Sequence, residues 1–204
     1  MSTPIVDPKV RASWLKIATP EVLGANLIKA SLFLVAWEVL KNSIIGKPLG
    51  FFSTEFEGDN FQPKPSVKYK EVVLSLDKNV LMASCLWFKS MEALTDDDIR
   101  KLQEAREYRN QIAHNLLEFL GSFDKDLEDE QLQVVQEILV KVDRWWIREI
   151  EIPTNPDFDG QNVPDEEISS GNMLMLAMIF DVVSGKQDYR ELLESLEAPN
   201  GEAG

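Results

Sequence analysis

Residues 95–121, TDDDIRKLQEAREYRNQIAHNLLEFLG, decide the fold of this chain. Thr95 followed by three aspartates is typical of an N-cap with acids in the first helical turn, and Gly121 is a natural C-terminal stop. The segment therefore predicts one amphipathic helix of about 25 residues that buries one face. Its apolar arc contains Ile99, Leu102, Ala105, Tyr108, Ile112, Ala113, Leu116, Phe119 and Leu120.

The first long helix is indicated by Thr19-Pro20-Glu21, where an N-cap residue precedes a proline and an acid in the first turn. Apolar residues then continue at helical spacing as far as Gly46, where we expect the helix to end. Residues 47–64 are rich in glycine, proline and phenylalanine. They predict an irregular aromatic loop that is packed on the protein, with room for a short strand.

Helical spacing continues in the rest of the chain. Residues 66–94 predict helix with a possible break at Asp77-Lys78-Asn79, so one helix and two helices both remain open. Three later helices are predicted: 128–150 closed by Pro153, 164–185 opened by Pro164, and a short last helix at 189–196.

The sequence contains no internal repeat, no phosphate-binding glycine motif and no long alternation of apolar and polar residues. The predicted class is therefore all-α, an antiparallel helical bundle with extra peripheral helices. With 204 residues, of which 44% are hydrophobic, the chain has the length and apolar content of one domain. We expect that domain to span 1–198 and residues 199–204 to be a flexible C-terminal tail.

Composition limits the compartment and the kind of ligand. The start of the chain lacks the features of a signal peptide, and the longest apolar runs, 30–37 and 173–180, are too short to span a bilayer. We therefore expect a cytoplasmic protein without membrane contact. The formal net charge of −14 repels nucleic acid at long range, so any site for a polyanion must be local. The single cysteine, Cys85, excludes a disulfide within the chain and is expected to be a small core residue.

His114 is the only histidine of the chain and lies in the second half of the predicted helix 96–120. Because there is only one histidine, a metal site built from two histidines of one subunit is excluded. On a helical wheel, Arg109 points into the apolar arc, whereas His114 lies on its polar edge, about 140° away. The two side chains flank a common edge that a long arginine can partly bridge. One interpretation is structural: Arg109 pairs with an acid on a neighbouring helix, beside a histidine that hydrogen-bonds a carbonyl.

The spacing Arg109-Asn110-x-x-x-His114 resembles the R-x4-6-H signature of the HEPN superfamily, in which a polar residue, often asparagine, follows the arginine. The motif lies where that family carries it, in the second half of a long bundle helix. The resemblance covers mainly residues 66–150 and implies a HEPN-like fold. It also implies a metal-independent endoribonuclease without a cofactor, usually a symmetric homodimer whose two motifs form one composite active site.

The resemblance further implies a role for each motif residue. His114 would deprotonate or position the ribose 2′-OH, Arg109 would hold the scissile phosphate, and Asn110 would orient the histidine or bind the phosphate. The implied partners are RNA, a second copy of the chain, and an antitoxin or regulatory protein of a toxin or phage-defence (abortive-infection) system. One subgroup carries a modifiable tyrosine two residues after the histidine; here that residue is Leu116, so control by adenylylation is not expected. The alternative is a non-catalytic HEPN-like module that binds a partner protein or a nucleotide.

Three further groups have both a functional and a structural interpretation. Trp145-Trp146 suits base stacking, but also a core or a dimer interface. The methionine cluster in residues 173–178 suits an adaptable partner surface or core filling. Glu104 and Glu107 are candidate acid/base groups, or surface partners of basic side chains on the same helix.

Overall fold

The computed structural model describes residues 7–57, 62–122, 124–125 and 127–186. Most of these residues are helical and the described strands have only two residues each, which confirms the all-α class. The helices are α1 Pro8–Ala18, α2 Pro20–Phe52, α3 Val67–Tyr69, α4 Val80–Ser90, α5 Asp96–Gly121, α6 Asp129–Trp146, α7 Ile152–Thr154 and α8 Gly171–Val183. Two π-helical turns, Lys70–Leu74 and Ile147–Glu151, continue α3 and lead from α6 into α7. Short 3-10 turns occupy Pro156–Phe158 and Asp165–Glu167.

The core lies where α2, α4, α5 and α6 pack together. α2 contacts each of the other three helices, and α5 also contacts α6. Burial of large apolar side chains from all four helices is the main source of stability for such a bundle. The side chains under 2% exposed include Leu40 and Ile44 of α2, Phe88 of α4, Leu102 and Ile112 of α5, and Leu139 and Val142 of α6.

The helix predicted at 96–120 is present as α5, with its predicted cap. The Thr95 hydroxyl accepts a hydrogen bond from the Asp98 amide at 3.2 Å, and the Asp98 carboxylate accepts from the Thr95 amide at 2.7 Å. This reciprocal pair satisfies two amides that no helical carbonyl can reach. The backbone of Asn115 departs from helical geometry, with φ −125° and ψ 30°, so the last turns of α5 follow a kink.

The expected end of the first long helix at Gly46 is wrong. α2 continues through Gly46 and Pro48 to Phe52, so residues 47–52 are helix rather than loop. A proline inside a helix removes one hydrogen bond and costs about 3 kcal/mol. Here Pro48 itself is buried, and the ring of Phe52 packs edge-on against Trp87 of α4 at 5.9 Å. Tertiary burial therefore outweighs the local helix-breaking tendency.

The rest of the predicted loop contains the short strands that the sequence left room for. β1 (Phe56–Glu57) pairs antiparallel with β2 (Gln62–Pro63). In residues 66–94, the open question resolves into two helical segments, since the chain leaves helix between Leu74 and Val80. The break coincides with Asp77-Lys78-Asn79, where the Asn79 side chain caps α4 by accepting from the Met82 amide at 3.1 Å.

The predicted start of the next helix at Pro164 is also wrong. Only a 3-10 turn follows Pro164, and α8 begins at Gly171. The Ser170 hydroxyl caps α8 by accepting from the Met173 amide at 3.1 Å, and it also donates to the buried carboxylate of Asp143. The predicted stop at Gly185 fits its positive φ of 66°. The predicted helix 189–196 and tail 199–204 lie outside the described residues, and the division into one domain stays a prediction.

Two helical features, one before α2 and one after α6, were not predicted from the sequence. α1 precedes the predicted first helix and is tied to the end of α5, because the Lys16 ammonium donates to the Ser122 carbonyl at 2.9 Å. After α6, helical backbone passes through Pro153, which was expected to close it, and ends at Thr154. Pro153 lies one residue before that helical run ends, so its missing N–H removes a hydrogen bond only at the end of the run.

α2 is the one described helix whose length and composition would allow it to cross a membrane. From Ala30 onward it also contributes eight buried residues to the bundle, which is typical of a core helix. Only 22% of its most apolar 18-residue window is buried, so part of an apolar helix surface remains exposed.

Candidate functional site

The R-x4-H motif lies on α5, beside α2. The start of α2 lies near the end of α5, since Ile17 just before it approaches Gly121. Further along, Phe33 of α2 meets the ring of Tyr108 of α5 edge-on at 5.0 Å. The two helices therefore run antiparallel, and the turn of α2 that contains Glu38 lies opposite Arg109.

Arg109 is partly buried, with 35% of its side chain exposed, as its position in the apolar arc predicted. Its Nη2 donates to Oε1 of Glu38 at 3.1 Å, and its Nη1 approaches Oδ1 of Asn110 at 3.4 Å. The ion pair with an acid on a neighbouring helix is therefore present. A guanidinium has five N–H groups. Three of those of Arg109 have no acceptor among the described residues, and its buried Nε is one of them.

The acid that pairs with Arg109 is Glu38, on a helix that the pattern of α5 does not specify. Its carboxylate lies between Arg109 and the ammonium of Lys41, one turn along α2. The hydrogen bond from Lys41, aided by that from Arg109, lowers the pKa of Glu38 against the opposing effect of its partial burial. Glu38 is therefore a carboxylate at neutral pH, and it holds two cations at one edge of a cleft.

That cleft has a volume of about 470 Å³ and lies between α2, α5 and the start of α4. Arg109 and Asn110 line it, and Glu38 is the carboxylate on its wall. Its apolar wall comes from Trp37, Ile45, Val80 and Leu81, and its other cations are Lys41, Lys78 and Arg106. Four cations thus face one carboxylate. In a chain of net charge −14, this is a local positive site of the kind that a polyanion needs.

His114 does not share this cleft. It is exposed on α5 directly before the kink at Asn115, and its side chain has no hydrogen bond or ion pair to any residue that the structure describes. It lies five positions after Arg109, with four residues between them, which is about 7.5 Å along the helix axis. The structure therefore brings Arg109 and Asn110 together and leaves His114 apart, without the expected hydrogen bond to a carbonyl. One turn further on, Leu117 is 85% exposed.

The tryptophan pair belongs to the core. Trp146 is buried, and Trp145 packs edge-on against Phe88 at 5.6 Å. The neighbouring arginines are engaged with the segment before α8: Arg144 donates to the Ile168 carbonyl at 3.3 Å, and Arg148 pairs with Asp165. Base stacking by Trp145-Trp146 is therefore not supported by their position.

Cys85 is also a core residue, as expected: it is fully buried, and burial raises the pKa of its thiol to about 12. Glu104 forms the expected surface pair, since its carboxylate lies 2.6 Å from Arg100. By contrast, Met175 and Met178 are exposed on α8 rather than filling the core. Glu107 is exposed and its side chain forms no ion pair with a described residue, so Glu107 and the methionines remain available to a partner.

No group of three or more histidine, cysteine, aspartate or glutamate side chains in the described ranges has the geometry to hold a metal ion. The cleft itself is lined by guanidinium, ammonium and amide groups, which are suited to anion recognition. Comparison of the chain with family models, with curated proteins and with solved structures finds no match.

Proposed function

We propose that this chain is a metal-independent endoribonuclease of the HEPN type, which cleaves RNA by attack of the ribose 2′-OH on the adjacent phosphate. The observation that carries the proposal is the position of Arg109 and Asn110 on the wall of a cationic cleft in an otherwise acidic chain. A permanently charged, forked guanidinium with unused N–H groups is suited to hold a phosphate.

In the proposed reaction, the imidazole of His114 accepts the proton of the 2′-OH. The 2′ oxygen forms a bond to phosphorus, and the bond from phosphorus to the 5′ oxygen of the next nucleotide breaks. The leaving oxygen takes a proton from a second imidazole, which gives a 2′,3′-cyclic phosphate and a 5′-hydroxyl. Arg109 stabilises the negative charge that develops on the phosphate, and Asn110 holds a phosphate oxygen or orients the histidine.

The proposed enzyme is a homodimer with a composite active site. A single chain has one histidine, and the reaction transfers two protons. His114 is exposed and lies outside the cleft of its own chain, which leaves it accessible to a second copy. The dimer would bring a histidine of the second copy to the edge of the cleft, so that the composite site contains two imidazoles.

The proposed setting is a toxin or phage-defence protein in the cytoplasm, where RNA cleavage stops growth. Such an activity needs a restraint, so an antitoxin or other regulatory protein is the expected partner. The exposed methionines Met175 and Met178 are of the adaptable residue type that partner surfaces use.

Cleavage of a single-stranded RNA in the presence of EDTA tests the proposal. We expect the wild type to yield 2′,3′-cyclic phosphate ends, and His114→Ala and Arg109→Ala each to lower the rate at least ~100-fold. The control Gln111→Ala alters an exposed residue between the two and should cleave normally. An RNA with 2′-H at the scissile position should resist cleavage. Equal rates for all four proteins, or loss of wild-type cleavage on chelation, would refute the proposal.

The second candidate is a non-catalytic HEPN-like module that binds a partner protein or a nucleotide. It is favoured by the Arg109–Glu38 ion pair and by the separation of His114 from the cleft. That candidate predicts ligand binding without any cleavage, and with no effect of His114→Ala.

A further inference from the structure

The cleft contains more positive charge than the R-x4-H motif supplies. Besides Arg109, it is lined by Lys41, Lys78 and Arg106. Lys41 is held by Glu38, whereas the side chains of Arg106 and Lys78 have no ion pair or hydrogen bond to any described residue. Like charges that face one cleft repel one another, so this arrangement is unfavourable until an anion enters.

The cations come from three different parts of the fold. Arg106 lies one turn before Arg109 on α5, so both side chains project to neighbouring parts of the same face. Lys78 immediately precedes Asn79, the N-cap of α4, and Lys41 belongs to α2. Cations from three sides can contact several phosphate oxygens at once, which one helix face cannot do.

The size and lining of the cleft fit a nucleotide. Its volume of about 470 Å³ lies within the range of small-ligand sites, which is roughly 300–1,000 Å³. The apolar wall formed by Trp37, Ile45 and Leu81 can pack against a sugar or a base. The amide of Asn79 uses its oxygen to cap α4, which leaves its N–H₂ group without an acceptor among the described residues.

We propose that this cleft is a phosphate-binding site in which Arg106, Lys78 and Lys41 contact the phosphates next to the one held by Arg109. RNA as the source of those phosphates rests on the proposed function. A free nucleoside polyphosphate presents the same chemistry, so the experiment includes both. The site explains how a chain of net charge −14 binds a polyanion, because the attraction is confined to one cleft.

The test measures binding of a fluorescent single-stranded oligoribonucleotide in the His114→Ala background, so that cleavage cannot interfere. We expect Arg106→Gln and Lys78→Gln each to weaken binding about fivefold and to reduce the log–log salt slope by about 0.7. The controls are Arg100→Gln and Lys89→Gln, which remove the same charge from α5 and α4 at positions outside the cleft. They should change binding less than about twofold, since long-range effects of single surface charges are screened.

A second arm titrates ATP by calorimetry with the same four variants. ATP binding that depends on Arg106 and Lys78, without oligoribonucleotide binding, assigns the site to free nucleotides and supports the phosphate chemistry. Cleft variants that bind both ligands like their controls, or a parent protein that binds neither, overturn the inference. This test can fail independently of the proposed function. RNA cleavage by the wild type, with binding that the cleft substitutions leave unchanged, refutes only the phosphate-binding role of the cleft. Binding that depends on the cleft, without cleavage by the wild type, refutes only the ribonuclease activity.

Discussion

Glu38 lowers the positive charge of the cleft, although it was not among the residues that the motif indicated. Its carboxylate is shared by Arg109 and Lys41, so it neutralises part of the positive charge that a phosphate would meet. It also fixes the guanidinium of Arg109 in one position. The partial neutralisation weakens phosphate binding, whereas the fixed position of Arg109 favours it. A substitution that removes the charge but keeps the hydrogen bond separates the two effects.

Glu38→Gln keeps an oxygen that accepts from Arg109 and removes the negative charge. We therefore expect tighter oligoribonucleotide binding, by about threefold at low salt, with the gain shrinking as salt screens it. Fluorescence anisotropy at two salt concentrations measures this. Glu104→Gln, on the exposed surface of α5 and paired with Arg100, is the control and should bind like the parent. Weaker binding by Glu38→Gln would contradict a cleft whose role is to attract phosphate.

The lowered pKa of Glu38 also predicts a pH dependence of stability. A carboxyl whose folded pKa is below its unfolded value stabilises the fold above the unfolded value, near 4.5, and loses this contribution as pH falls through the folded pKa. The free energy of unfolding of the parent should therefore exceed that of Glu38→Gln at pH 7, by at most about 1 kcal/mol because the pair is partly solvated. Urea unfolding at pH 7 and pH 3 checks this, and a difference that persists unchanged at pH 3 would contradict it.

At the scale of elements, a buried carboxylate joins three helices. Asp143 of α6 is fully buried and accepts hydrogen bonds from Ser43 of α2 and from Ser170, the N-cap of α8. Lys47 of α2 lies 3.4 Å from the same carboxylate and 5.3 Å from the centre of the Trp146 ring. Removing the carboxylate leaves a mostly buried ammonium and two hydroxyls without their partner.

Asp143→Ala should lower the free energy of unfolding by about 3–5 kcal/mol. The matched control is Asp129→Ala, because Asp129 also belongs to α6 and pairs with a lysine of α2, Lys29, but is mostly exposed. That substitution should cost less than about 1 kcal/mol. Urea unfolding followed by circular dichroism measures both. Similar losses for the two variants would show that burial of Asp143 does not govern its contribution.

At the scale of the whole molecule, this acidic chain also exposes large apolar side chains. α1 and the start of α2 expose Trp14, Leu15, Leu27 and Ile28, and the end of α5, against which α1 packs, exposes Leu117. Leu117 is the most exposed of the five, at 85%, and an exposed apolar side chain of this size is suited to an interaction surface. Leu117 lies three residues after His114, so a second copy seated here would meet the histidine that the proposed reaction requires.

Leu117→Glu should therefore disrupt the proposed dimer and abolish RNA cleavage, while binding of the oligoribonucleotide in the cleft of each subunit persists. Light scattering during gel filtration, at several protein concentrations, measures the oligomeric state. Val67→Glu is the control, since Val67 is 71% exposed on α3 and introduces the same charge elsewhere. A wild type that is monomeric at the concentration at which it cleaves RNA would contradict the composite site.

Local features were predictable wherever neighbouring residues decide the structure. The cap at Thr95, the bounds of α5 and the break before α4 depend on side chains within a few positions of one another. The apolar arc of α5 likewise predicted that Arg109 is partly buried and needs an acid. It could not identify Glu38, which is 71 residues away in sequence. The kink at Asn115 has no marker such as proline, so the wheel treated α5 as straight.

The sequence by itself determined the all-α class, the long capped helix that carries Arg109, Asn110 and His114, and the requirement that any polyanion site be local. Tertiary structure decided that α2 continues through Pro48, because burial against α4 outweighs one lost hydrogen bond. It also decided which cations share a cleft and that His114 lies outside it. Helical periodicity fixes which side chains share a face of one helix, whereas their meeting with other helices depends on packing between segments far apart in the chain.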